Sequence, residues 1–239
     1  EKYHLGGCRY NGMPGQMVLN QNRILQKYAK VPVFIACNPE QGGNGVCPDG
    51  TFVANQIKIG ATGKKEYAQA MGRISGAQIK ATGCNMAFAP VVDITYNWEC
   101  EETLNRAYGN DAKMVAEMGK AYMDGLHEFD SVYCCAKHFP GHGDTHADSH
   151  LALPSLDLDV REIESVHFEP FRAAVNAGVR AVMTAHIRVP AWGEAPATLN
   201  PLILGKLRSL GFDGVIVTDA LDMGGFLGWY KTKRHSQIE

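Results

Sequence analysis

Residues 133–154 read YCCAKHFPGHGDTHADSHLALP. Up to Phe139 the stretch is almost continuously apolar, as a strand buried on both faces is. Pro140, Gly141 and Gly143 then break any regular element, so a loop leaves the strand at its C-terminal end. Lys137 and four histidines (His138, His142, His146 and His150) crowd this exit with Asp144 and Asp148. A strand that delivers titratable groups at its C-terminal end is one unit of a pattern that runs through the chain.

Five more short apolar runs read as strands: Leu5–Tyr10, Val31–Asn38, Asn85–Asp93, Arg180–Ile187 and Gly214–Ala220. Helical patterns lie between them, over Lys64–Lys80 and Asp111–Glu128. A third starts at the cap Asp159 and stops near Gly178. A fourth starts at Asn200-Pro201 and stops at Gly211. Alternation of this kind makes βαβ units and a parallel sheet. Polar residues recur at the strand ends: Asn38-Pro39-Glu40, Asp93, Lys137-His138, His186 and Asp219. A doubly wound sheet gathers function at one switch point, whereas a (β/α)8 barrel displays it at the ends of many strands. The expectation is therefore an α/β fold, a (β/α)8 TIM-type barrel. Six strands are found where about eight are needed. With a charged helix at Lys231–Glu239 ending the chain, the first and last strands are expected to be lacking. Residues 1–239 then form a single, partial barrel domain.

The 239 residues carry 23 Lys plus Arg against 25 Asp plus Glu, a net charge of −2. That leaves no electrostatic footprint for nucleic acid. No apolar run is long enough to span a membrane. Disorder, collagen and coiled coil are excluded by a composition that is 45% hydrophobic and 20% charged. Seven cysteines, an odd number with no CxxC pair, read as buried thiols and favour a reducing, cytoplasmic setting. The chain opens on Glu1 rather than Met, which is compatible with a removed leader.

Three chemistries compete for the 137–154 loop. A polar surface loop is the plainest. A metal site would use His138, His142, His146 and His150, which recur every fourth residue, but the Gly and Pro break the helix that would align them and no HExxH is present. Catalysis is the third. Asp148 and His150 flank Ser149, so a carboxylate can hold one imidazole nitrogen and leave the other to move a proton. Asp219, in GVIVTDALDM (214–223), ends an apolar strand and is either a helix cap or a working carboxylate. A carboxylate nucleophile opposite a mobile acid/base is the layout of a retaining glycosidase.

KHFPGHGD (137–144) followed by DSH (148–150), with VTDALDM (217–223), resembles glycoside hydrolase family 3. The β-N-acetylglucosaminidase branch, related to the bacterial peptidoglycan-recycling enzyme, is the nearest. The resemblance runs in order from LGGCRY (5–10) to TDALDM (218–223). It implies a (β/α)8 barrel and an exo-acting retaining β-N-acetylhexosaminidase. Asp219 then matches the nucleophile, His150 the general acid/base and Asp148 its dyad partner. Lys137 and His138 match the pair that grips sugar hydroxyls. Arg106, in NRAYG, matches an arginine near the acetamido group. NPEQGG (38–43) departs from the family's acidic D-x-E-G-G element, and either Asn38 or Glu40 makes the hydroxyl contact there. The implied partner is an N-acetylglucosamine-containing glycan, with water or phosphate as acceptor. No metal or organic cofactor is called for. A non-catalytic sugar-binding module is the alternative from another class, and a histidine-rich metal protein a third.

The remaining features have plain readings. His186 reads as a core histidine or a substrate contact, Asp93 as a cap or a pocket residue, and Asp222 as a solvent-facing turn residue or a cap. Two of Trp98, Trp192 and Trp229 read as packing rather than sugar stacking.

Overall fold

The computed structural model describes residues 5–10, 12–100 and 102–233. Six parallel strands form one sheet in the order β1 (Gly7–Arg9), β2 (Phe34–Cys37), β3 (Met86–Ala87), β4 (Tyr133–Phe139), β5 (Ala181–Thr184) and β8 (Val215–Thr218). The sheet curls as part of a TIM-type barrel, with β1 and β8 at its two ends. Between β5 and β8 a small antiparallel pair intervenes, β6 (Arg188–Val189) with β7 (Gly193–Pro196).

All six expected strands are present, mostly shorter than their apolar runs. The clearest correction is Asn85–Asp93, of which only Met86–Ala87 is regular strand. Pro90 has no N–H to give to a ladder. The chain beyond still runs beside β4, with Val91 bridged to Lys137 and Val92 N–H donating to the Lys137 carbonyl.

The expected helices also form: α3 (Lys65–Ala81), α4 (Ala112–Leu126) and α7 (Pro201–Ser209). Asp111 caps α4 through the Met114 N–H, and Asn200 caps α7 with Pro201 at its first position. Asp159 caps α5 (Val160–Glu162), which passes through a π-helical turn, Ile163–His167, into α6 (Phe168–Asn176). Two helices have no counterpart in the sequence reading, α1 (Gly15–Tyr28) and α2 (Gln56–Ala61). The last helix, α8 (Gly224–Lys233), begins before the expected Lys231, and the rest of that charged segment, Arg234 included, lies outside the described residues.

Period-two alternation divides the strand side chains between two cores. Cys37, Ala87, Cys134, Ala136 and Val182 pack outward against the helices. Ala36, Met86, Cys135, Ala181 and Met183 pack inward, with Phe88 and Val217 beside them. One further step of two along each strand carries the inward face past the apolar layer. It reaches Asn38 after Ala36, Lys137 after Cys135 and Asp219 after Val217. The sheet thus delivers polar groups to one mouth of the barrel while its waist stays apolar. Six cysteines are buried and Cys8 is half-buried, all as free thiols. Among the described residues no helix is long and apolar enough to cross a membrane.

Helices α3 and α4 approach each other through glycines. A Cβ on Gly72 would lie 2.0 Å from the Tyr122 carbonyl oxygen, and one on Gly125 would lie 2.0 Å from that of Gln69. Gly72→Ala and Gly125→Ala are each expected to destabilise the fold by about 2 kcal/mol through forced separation of the helices. Gly205→Ala, on the open face of α7, meets nothing within 4 Å. That change is expected to be neutral or to stabilise by about 0.5 kcal/mol. Chemical denaturation of the three variants checks this order.

Candidate active site

The polar mouth of the barrel holds a cavity of about 510 Å³. Asn38, Arg106, Lys137, His138, His150 and Asp219 all line it. Five different chain segments therefore bring their predicted groups to one place.

Lys137 and His138 both reach the cavity although they are adjacent in β4. A regular strand would send one inward and one outward. The register between β4 and β5 shifts here, from Lys137↔Met183 to Phe139↔Thr184, so His138 is an extra residue in a bulge. A bulge re-aims a side chain in this way. The peptide bonds Lys137–His138 and Phe139–Pro140 are cis.

Asp93 fixes the aim. It is fully buried and accepts from the His138 main-chain N–H at 3.2 Å and from the His142 N–H at 2.7 Å. Its Oδ2 is 2.7 Å from His138 Nδ1. Burial opposes ionisation of Asp93, but the charge and hydrogen bond of His138 and the contacts of His142 outweigh it and lower its pKa. With Nδ1 donating to Asp93, the Nε2 edge of His138 is left facing the cavity. It lies 3.4 Å from Arg106 Nη2 and 3.9 Å from Asp219 Oδ2. Asp93 is therefore a buried anchor behind the cavity wall, not a cap.

Glu40 plays the matching part for the cations. Its carboxylate takes a bidentate pair of hydrogen bonds from Arg106, at 2.8 and 2.9 Å, and an ion pair from Lys137 Nζ at 2.5 Å. Burial works against its charge, yet Lys137 and Arg106 together hold its pKa far below the usual carboxylate range. Both Glu40 oxygens are committed to these cations. Of the two candidates from NPEQGG, Asn38 lines the cavity and Glu40 stands behind it as counter-ion.

Asp219 ends β8 and is 23% exposed. Its Oδ1 accepts from the Ala220 N–H at 2.8 Å. That contact caps no helix, because α8 starts five residues later at Gly224. Burial raises its pKa, but His138, the Ala220 N–H and Lys137 bring it below the ordinary aspartate value. The carboxylate is thus ionised, accessible and flanked by His138 and Lys137. His186 is buried rather than lining the cavity, with Nδ1 on Thr198 and Nε2 on the Ala220 carbonyl, each at 2.9 Å. It supports the turn that carries Asp219.

Asp148 and His150 pair as the sequence suggests. Asp148 Oδ1 accepts the His150 N–H and faces its Nδ1, both at 2.8 Å. Burial lowers the His150 pKa, but the hydrogen bond to Asp148 and the charges of Glu102, Asp148 and Asp219 reverse this and raise it. Two groups hold the loop: His142, which the sequence offered only as a metal ligand, and the glycine pair that opens α8. His142 is buried and meets the Ser149 Oγ through Nε2 and the Thr145 Oγ1 through Nδ1, each at 3.0 Å. At the base of α8, the Gly224 N–H donates to the His150 carbonyl at 2.8 Å and the Gly225 N–H to that of Ser149 at 3.0 Å. A Cβ at Gly224 would lie 2.5 Å from the His150 oxygen, so only glycine permits the approach.

The four-residue histidine rhythm gathers no metal cluster. His142 is committed to hydroxyls, and His146 faces Asn97 Nδ2 at 3.0 Å. Among the described residues, the one group whose ligand atoms converge closely enough for a metal is Glu102, Asp148 and His150. Glu102, like Gly224 and Gly225, has no place in the sequence reading. Trp98, Trp192 and Trp229 stay off the cavity wall: Trp192 packs on Phe168 and Trp98 faces solvent. Asp222 is exposed on the turn at the cavity's rim.

Residues 6–238 match the Glycosyl hydrolase family 3 N terminal domain, and the chain belongs to that family. It is 32% identical over 235 residues to a β-N-acetylglucosaminidase/β-glucosidase of Cellulomonas fimi, covering 93% of this chain and 42% of that protein. A family 3 β-N-acetylglucosaminidase from a Paenibacillus strain superposes with a TM-score of 0.88 at 38% identity, covering 95% of this chain and 45% of that one. A β-glucoside phosphorylase superposes with a TM-score of 0.90 at 32% identity, covering 93% and 43%. The chain thus spans less than half the length of these relatives.

Asp93 and Glu40 both have lowered pKa values in the folded protein. Their stabilising contribution is complete above the unfolded carboxylate values, roughly 4, and is lost as pH falls through the lower folded values. Asp93→Asn strands the donors that converge on it. It is expected to cost about 3 kcal/mol at neutral pH, with the gap to wild type narrowing as pH drops below about 4. Denaturant titrations at neutral and acid pH measure it, and a gap independent of pH would contradict it.

Proposed function

We propose that this chain is the catalytic barrel domain of an exo-acting retaining β-N-acetylhexosaminidase that removes terminal β-linked N-acetylglucosamine. The observation that carries the reading is that Asp219 and His150, the latter held by Asp148, line one cavity whose wall also bears Lys137, His138 and Arg106. Asp219 attacks the anomeric carbon and forms a covalent glycosyl-enzyme. His150 gives its Nε2 proton to the departing glycosidic oxygen, with Asp148 holding Nδ1. In the second half-reaction neutral His150 takes a proton from the acceptor, which displaces the sugar from Asp219. Lys137, His138 and Asn38 grip sugar hydroxyls, and Arg106 faces the acetamido group. The substrate is an N-acetylglucosamine-containing glycan, and the cytoplasm the favoured compartment. Seven cysteines free of disulfides support that setting.

The acceptor is water or phosphate. A histidine acid/base presents no negative charge to an anionic acceptor, as a glutamate would. The likeness to a β-glucoside phosphorylase favours testing phosphate directly.

Aryl β-N-acetylglucosaminide and aryl β-glucoside are compared for phenol release, with Asp219→Ala as control. The acetamido sugar is expected to turn over preferentially, and Asp219→Ala to lose at least about 1,000-fold in kcat. Turnover of neither would favour a non-catalytic sugar-binding module. In phosphate buffer, sugar 1-phosphate is the expected product of phosphorolysis, and free sugar alone would assign water.

The pH profile follows from the two shifts. Asp219 stays ionised below the ordinary aspartate value, so the acid limb of kcat/KM lies low. His150 stays protonated above the ordinary imidazole value, so the alkaline limb lies above about 6.5. Asp148→Asn removes a charge that favours the imidazolium and is expected to move the alkaline limb to lower pH. A limb left in place would remove Asp148 from the dyad.

A further inference from the structure

His150 is held by two carboxylates, not one. Its Nδ1 lies 2.8 Å from Asp148 Oδ1 and 3.0 Å from Glu102 Oε2. The two come from different parts of the fold. Asp148 sits two residues away on the same loop and travels with His150. Glu102 sits on the segment joining β3 to α4, and its side chain is 8% exposed, against 56% for His150. Within one turn of that segment its other oxygen, Oε1, pairs with Arg106 Nη1. Arg106 is itself clamped by Glu40. A continuous line of alternating charge thus runs from Lys137 through Glu40, Arg106 and Glu102 to His150.

We propose that Glu102 is a positioning residue that docks the acid/base histidine onto the arginine lining the sugar site. The proposal rests on the reading of His150 as the acid/base. Asp148 sets the ring's orientation within its loop, and Glu102 sets the loop's place against the barrel. With Nδ1–H donated to carboxylates, the transferable proton sits on Nε2. In the forward step that proton passes to the glycosidic oxygen as the C1–O bond breaks and the bond from C1 to Asp219 forms. The charged groups facing His150 are Asp148 on its own loop, Glu102 on the β3–α4 segment and Asp219 after β8, with Arg106 behind Glu102 and Asp222 at the rim. Removing Glu102 takes away a negative charge that favours the protonated ring and the contact that locates it.

The test uses the full-length protein with Glu102→Gln and Glu102→Asp. The substrates are aryl β-N-acetylglucosaminides running from dinitrophenyl, which needs little protonation to leave, to phenyl, which needs much. Glu102→Gln is expected to lose about 100-fold in kcat/KM on the phenyl glycoside, and several-fold less on the dinitrophenyl glycoside. Its alkaline limb is expected to fall by about half a pH unit or more. Glu102→Asp keeps the charge and shortens the reach. It is expected to retain the wild-type alkaline limb while still losing more on the phenyl glycoside than on the dinitrophenyl one. Should Glu102→Gln fail to fold, Glu102→Asp carries the test alone. Equal losses on all leaving groups with an unmoved limb would overturn the proposal and leave Glu102 as structural support for Arg106. Asp148→Asn separates the two readings. If it moves the limb and Glu102→Gln does not, His150 stands as acid/base and only the role of Glu102 falls. If wild type turns over no aryl glycoside, the catalytic reading falls first.

Discussion

Asp93 has no exposed surface, yet it stays charged because the main chain and ring of His138 and the main chain of His142 all turn their donors toward it. Both halves of the cavity depend on this. On one side it sets the ring of His138 with Nε2 toward Asp219 and Arg106. On the other it pins the start of the loop that ends in Asp148 and His150. The imidazole of His142 continues the chain to the Ser149 hydroxyl, between those two residues. A single buried carboxylate thereby relates the two groups that the proposed reaction needs to face each other. Removing one partner of such a buried ionic cluster costs far more than the complete cluster contributes.

The cation wall obeys the same logic. Lys137 and Arg106 would be costly to hold at a buried surface without a counter-charge. Glu40 supplies it to both, and Glu102 to Arg106. The groups offered to a ligand are therefore already oriented and compensated before it arrives. In the proposed reaction, preorganisation of this kind spares the reorganisation that solvent would demand as charge develops at the anomeric centre. Asp219 gains in the same way, ionised beside His138 and Lys137 yet still open to the cavity.

Much of this was legible in the sequence, for identifiable reasons. Consecutive apolar residues marked the strands because both faces are buried. The caps at Asp111, Asp159 and Asn200 marked three helix starts because their side chains accept main-chain N–H groups where the helix cannot. Asp219, Lys137 and Asn38 were legible as polar groups at the C-terminal ends of apolar runs, and the structure shows each two residues beyond an inward-facing apolar residue. Other parts gave no local signal. Helix α1 has Pro14 at its cap position and no side-chain cap, so its start carries none of the signal that marks α4, α5 and α7. Asn85–Asp93 looked like a strand because its apolar residues stay buried beside β4, although most of them leave the regular ladder. Glu102 sits in an irregular turn, and its meaning arises from proximity to His150, 48 residues away, which no spacing rule encodes. Glu40 against Asn38 was undecidable until the ion pairs of Glu40 were seen.

The central claim is that Asp219 carries the sugar between the two half-reactions. The most direct measurement is intact-mass and peptide mass spectrometry after reaction with a fluorinated N-acetylglucosaminyl donor whose glycosyl-enzyme turns over slowly. The account predicts one added sugar on the peptide that contains Asp219, absent in Asp219→Ala. A sugar on a different side chain, or turnover of the donor with no covalent species at any time, would contradict it.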